Sequence, residues 1–162
     1  MSGPPREATP ARPDADSIVI AGLPAPREAT ELVGFEADRI ELTAQERRLP
    51  RRRVVTRAGR VLTLMLPRGE TLTPGRLVHV GPGYFVTVEA AAEPLLAVSP
   101  RGPREAIRVA LEVGRLHSAL AQAGGRLLVP DEPAVERLLL RLGVPWTRTR
   151  EPFVPVSSGT PH

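Results

Sequence analysis

Hydrophobic and polar positions follow two different periods along this chain, and the change falls near its middle. Between Arg60 and Leu66, Leu62, Leu64 and Leu66 alternate with Val61, Thr63 and Met65. A period of two with one wholly apolar face predicts a strand. A second strand is expected over Arg53–Arg57, and Ala58-Gly59 between them suits a hairpin turn, because glycine accepts a positive φ. Arg76–Val80 and Tyr84–Glu89 flank Gly81-Pro82-Gly83 in the same way. Ser17–Gly22 and Arg39–Leu42 add two short strand candidates, and Thr43–Leu49 carries turn residues and charge. Short strands separated by Gly/Pro turns predict a small β-domain over residues 17–93.

From residue 94 onward the period lengthens. Glu93–Ser99 is a strand candidate, and Pro103–Leu120 is helical in period. Gly124-Gly125 marks a turn before a short strand at Arg126–Val129. Asp131–Leu142 reads as a second helix, with Asp131 as N-cap, Pro133 in the first turn, and Val135, Leu138, Leu139 and Leu142 on one face. Gly143 is placed to end it. Val144–Glu151 is the last strand candidate. The order strand, helix, strand, strand, helix, strand is the split βαβ of ferredoxin-like domains. The expected fold class is therefore α+β: a mostly β N-terminal domain, then a ferredoxin-like βαββαβ domain over residues 94–155. Residues 1–16, rich in Pro, Ala, Arg and Asp, and residues 156–162 read as tails.

Composition narrows the chemistry. The chain has 162 residues and no cysteine, which excludes disulfides, thiolate metal sites and thiol nucleophiles. Imidazole chemistry is restricted to three histidines, His79, His117 and His162. All 22 basic residues are arginine, and 18 acids leave a net charge of only +4. The high isoelectric point thus reflects the guanidinium pKa rather than a polycation. No apolar run is long enough to span a membrane, and the N-terminal stretch lacks a signal-peptide core, so a cytoplasmic protein is expected.

His117 stands out on the helical wheel. Ile107, Ala110, Leu111 and Gly114 form one apolar stripe, and Val109, Val113, Leu116 and Leu120 form a second. A helix lying on one sheet needs a single stripe, so two suggest a sheet on one side and another subunit on the other. Extended along the helix, the wheel puts His117 between the stripes. It is then either a hydrogen-bonded core or interface histidine, or half of a symmetric pair. Two neutral imidazoles across a two-fold axis suit Ni, Cu or Zn.

Several phrases, in order and spacing, resemble the urease accessory protein UreE family of nickel chaperones, from about Ser17 to Pro155. They are LTAQERR (Leu42–Arg48), LMLPRGETLTPG (Leu64–Gly75), AAEPLLAVSP up to Pro100, LLVPDEPAVERLLLRLGV (Leu127–Val144) and TREPFVP (Thr149–Pro155). The resemblance implies a β-domain that binds a partner or peptide. It also implies a ferredoxin-like domain that dimerises and holds Ni(II) as cargo, with Zn(II) or Cu(II) as substitutes in vitro. Implied partners are a second copy of the chain, the urease accessory GTPase UreG, and the urease apoprotein complex. The family's Gly-Asn-Arg-His signature reads here Gly114-Arg115-Leu116-His117, so only His117 carries over as the interface ligand. Relatives with His-rich tails suggest His162 as a further tail ligand; His79 reads as a strand residue or a weak peripheral site.

Other chemistries find little support. The arginines from Arg47 to Arg53 form a basic cluster without interleaved aromatics, and Glu93–Ser99 and Arg126–Val129 lack the stacking residues of RNA-recognition strands. No Walker A or G-x-G-x-x-G motif occurs, so an enzyme is not expected. Two functions follow: a homodimeric nickel carrier, or a binding module in urease maturation without useful metal affinity, including an arginine-based RNA-binding form.

Overall fold

The computed structural model describes residues 17–156. The first half forms two three-stranded sheets. One has the order β1 (Ile18–Ile20), β4 (Val61–Met65), β3 (Arg51–Val55). The other has the order β2 (Glu36–Leu42), β6 (Tyr84–Ala90), β5 (Leu77–Gly81). Both expected hairpins are present: β3 pairs antiparallel with β4, and β5 with β6. The alternation at 61–66 also holds. Leu62, Leu64 and Leu66 are buried with Ile20, Ile40, Val86 and Val88 between the sheets, while Met65 is exposed.

A polar latch joins the sheets at their rim. The buried Asp38 carboxylate of β2 accepts the backbone amides of Ala58 (3.0 Å) and Arg39 (2.8 Å) and an Arg60 Nη1–H (2.6 Å). Arg60 also lies 3.9 Å over the Tyr84 ring, a cation–π contact. Burial pushes the Asp38 carboxyl up, but bonds from Thr56, Arg60, Ala58 and Arg39 outweigh it and hold it below its ordinary value.

The second half follows β6 after the single residue Ala91. Its sheet has the order β10 (Trp146–Pro152), β7 (Ala92–Val98), β9 (Arg126–Pro130), β8 (Ala121–Ala123), with every pairing antiparallel. Helices α1 (Pro103–Arg115) and α2 (Pro133–Leu142) cover one face, where Val109, Val113, Val135, Leu138 and Leu139 pack on Leu96, Val98 and Val129. This is the expected ferredoxin-like arrangement. Gly143, in the left-handed conformation, ends α2 as expected. The N-cap of α2 is Glu132 rather than Asp131, whose carboxylate instead accepts Arg148 Nε at 3.3 Å.

The larger correction concerns α1. The helix stops at Arg115, not Leu120, and only one of its two stripes is buried. The opposite sheet face is covered by the chain's own last described segment. Phe153 is buried against Leu95, Ala97, Leu128 and Ala121, and the Val156 amide donates to the Leu120 carbonyl at 2.8 Å. Residues 153–156 thus cross from the β10 edge to the β8 edge as a strap.

Because the folded-state value of Asp38 is lowered, its contribution is present above the unfolded carboxyl pKa of ~4 and fades as pH falls through the folded value. Urea unfolding at pH 7 should find Asp38→Asn less stable than wild type. The gap should narrow as the pH is brought below ~4.

Candidate metal centre

The end of α1 is built from backbone hydrogen bonds. The His117 amide donates to the Gly114 carbonyl at 2.9 Å, and the Ser118 amide to the Val113 carbonyl at 3.3 Å. These are the paired bonds of a Schellman motif, with His117 in the position that glycine normally fills. His117 has φ +54° and is the only non-glycine residue with positive φ among the described residues. Left-handed backbone costs an L-residue ~1–2 kcal/mol relative to the right-handed form. Residues held this way cluster at functional sites.

This geometry changes the wheel reading. His117 does not lie between two stripes of a continuing helix; the chain reverses there and leaves the side chain exposed. The reading as a buried core histidine is thereby excluded within one chain. The stripe through Val109 and Val113 faces the sheet. The other stripe faces outward: Ile107 is 69% exposed and Leu111 55%, and Leu116, the last of the sheet-facing stripe's residues before the chain reverses, is also exposed. Gly114 lies on that outward stripe, and a Cβ built on it meets nothing within 4 Å. Intrachain packing therefore does not require glycine there.

The two changed neighbours have separate fates. Arg115 is tied to Glu112 at 2.5 Å, and Leu116 is exposed. His162 lies outside the described residues. The strap nevertheless ends at Val156 beside Leu120, three residues beyond His117. His162 lies six positions beyond Val156 in the sequence, a span of at most ~20 Å for a fully extended chain. His79 sits on β5 in the other domain, half-buried, with its ring 5.8 Å from that of Tyr84. Burial lowers its pKa. Among the described residues, no three His, Asp or Glu side chains group as metal ligands within one chain.

The basic cluster is divided. Arg47 is buried, with Nη1 donating to the Leu42 carbonyl (3.0 Å) and Nη2 to the Phe153 carbonyl (2.7 Å). Burial lowers its pKa, and the nearby Glu93 carboxylate offsets part of that. Arg52 pairs with Glu46. Five clustered arginines in sequence therefore do not make one solvent-facing patch. Sequence reasoning missed both the strained backbone at His117 and the buried role of Arg47.

Set beside known proteins, this two-domain plan has a counterpart in both halves. Residues 22–91 match the UreE urease accessory protein, N-terminal domain, and residues 93–161 match its C-terminal domain. The chain belongs to the UreE urease accessory protein family. It is 40% identical over 114 residues to the urease accessory protein UreE of Deinococcus radiodurans, covering 70% of this chain and 74% of that one. It is 34% identical over 120 residues to the same-named protein of a Synechococcus strain, covering 74% and 80%. Among the described residues, no helix is long and apolar enough to cross a membrane.

If His117 is retained for chemistry at a cost in backbone strain, replacing it with glycine should relieve that strain. His117→Gly should raise the unfolding free energy by ~1 kcal/mol in denaturant titration. A loss of stability would show that the imidazole supports the fold.

Proposed function

We propose that this chain is a homodimeric Ni(II) carrier of the cytoplasm that serves urease maturation and is not itself an enzyme. The observation that carries the reading is His117. Its imidazole stands exposed on a strained turn, directly after a helix face that leaves Ile107 and Leu111 uncovered. Two such faces related by a two-fold axis would cover each other and bring two imidazoles to one ion. Gly114 would let the backbones approach. It is the exposed penultimate residue of α1, and nothing packed against it within the chain requires a glycine there.

The tails would supply His162 from each chain, raising the donor set from two imidazoles to four. Neutral imidazole binds Ni(II), and also Zn(II) or Cu(II), with borderline-soft nitrogen. Such a site suits a carrier, because imidazoles in general titrate near neutral pH and protonation expels the metal. The ion would pass to apo-urease in a complex with the accessory GTPase UreG and the other accessory proteins, for which the N-terminal β-domain offers a docking module. A peripheral ion at His79 would lie apart from this path.

The competing reading is a maturation scaffold with little metal affinity, motivated by Arg115 and Leu116 in place of the family's Asn-Arg. Burial of Arg47 and pairing of Arg52 weigh against the RNA-binding form.

Leu111→Glu places a carboxylate on the outward stripe, and it should convert the dimer to monomer in analytical ultracentrifugation. His117→Ala should leave the dimer intact. Both should lose nickel binding in calorimetry by at least ~10-fold, the scale of removing one ligand or its support. Nickel affinity of wild type should fall steadily from pH 8 to pH 6. Wild type without nickel binding at micromolar concentration favours the scaffold.

A further inference from the structure

The buried Arg47 is explained neither by the metal site nor by a basic surface. It is 4% exposed, and its guanidinium is shared between the two domains. Nη1 donates to the Leu42 carbonyl at the end of β2 (3.0 Å), and Nη2 to the Phe153 carbonyl, just past β10 (2.7 Å). A second bond joins the same two regions: the Ala44 amide donates to Glu93 Oε2 at 2.8 Å. Ala44 also packs against the cluster that contains Phe153. A forked, permanently charged donor can satisfy two carbonyls at once, where an ammonium on a flexible stem cannot hold both in place.

Each end of this contact is firmly held in its own domain. On the N-terminal side, Glu46 closes the turn at residues 43–48. Its Oε2 accepts the Thr43 amide at 2.8 Å, its own amide donates to Thr43 Oγ1 at 3.2 Å, and its carboxylate pairs with Arg52 of β3. The Arg47 carbonyl accepts the Leu72 amide at 2.9 Å. On the other side, Phe153 is buried in its cluster and Glu93 lies in β7. The contact also sits beside the covalent join. Strand β6 ends at Ala90, β7 begins at Ala92, and Pro152 pairs with Ala92, so Ala91 alone links the two domains along the chain. Domains linked in this way pivot about the link by default, unless their interface fixes them.

We propose that the turn at residues 43–48 is an interdomain latch: Arg47 and Ala44 fix the N-terminal β-domain at one angle about Ala91, so that the two domains move as one body. Opening the hinge would strip the guanidinium of the Phe153 carbonyl and leave the Ala44 amide without Glu93. The latch does not depend on the metal reading. Its consequence for the carrier rests on that reading: a partner seated on the β-domain is held at a fixed place relative to the outward stripe of α1.

The test is site-resolved amide exchange and nitrogen spin relaxation on the full chain, for wild type and Arg47→Met. Wild type should tumble with one correlation time for both domains. In Arg47→Met, exchange at Ala44 should rise ~10-fold or more, because its bond crosses the hinge without involving Arg47. Val88 and Ser99, whose amides bond within their own domains, should stay within ~2-fold of wild type, and the two domains should tumble apart. Arg47→Lys, which keeps the charge but not the fork, should show the same pattern at smaller amplitude, and it serves if the Met variant folds poorly. Wild-type domains that tumble separately overturn the latch. So does an Arg47→Met variant in which exchange at Ala44 is unchanged, or rises only as much as at Val88 and Ser99, which would mark a loss of global stability instead.

Discussion

The reversal of the chain at the end of α1 is the constraint on which the rest depends. Two backbone bonds, from His117 to Gly114 and from Ser118 to Val113, close the helix in a form that needs a left-handed residue. Were the helix to continue to Leu120, the imidazole would turn with it and β8 could not begin at Ala121. Histidine is a poor choice for that conformation when stability alone is counted. Its place there is intelligible if the side chain is wanted at the outer corner of the domain.

The two faces of the ferredoxin-like sheet then divide the labour. On one, α1 buries Val109 and Val113 and turns Ile107 and Leu111 outward. On the other, the strap seats Phe153 among Leu95, Ala97, Ala121 and Leu128 and ends against Leu120. A ferredoxin-like sheet of this strand order leaves β10 at one edge and β8 at the other. Residues 153–156 therefore have to cross the full width of the sheet to bring Val156 beside Leu120. The N-terminal domain lies against the start of this crossing through Arg47 and against the Phe153 cluster through Ala44.

Much of this was legible in the chain, for local reasons. The β3–β4 and β5–β6 hairpins announce themselves through alternation and Gly turns, and α2 through its stripe and Gly143. The two stripes of α1 were also readable, although which of them meets the sheet was not. The end of α1 was hidden because neither glycine nor proline marks it, and Leu116 and Leu120 carry the apolar period past the true stop. The N-cap of α2 slipped by one residue because Asp131 and Glu132 are both acidic and Asp131 is drawn to Arg148. Arg47 looked like one of five surface arginines. Its partner Phe153 is 106 positions away, and no local pattern encodes a contact at that distance.

The central claim is that the metal site exists only between two copies of the chain, one exposed imidazole from each at its core. Native mass spectrometry of the nickel-loaded protein tests it most directly, because stoichiometry and subunit count are read from the same ion. The account predicts a species of two chains carrying one Ni(II), with no nickel on the monomer present in the same spectrum. A single chain that retains one Ni(II) would contradict it.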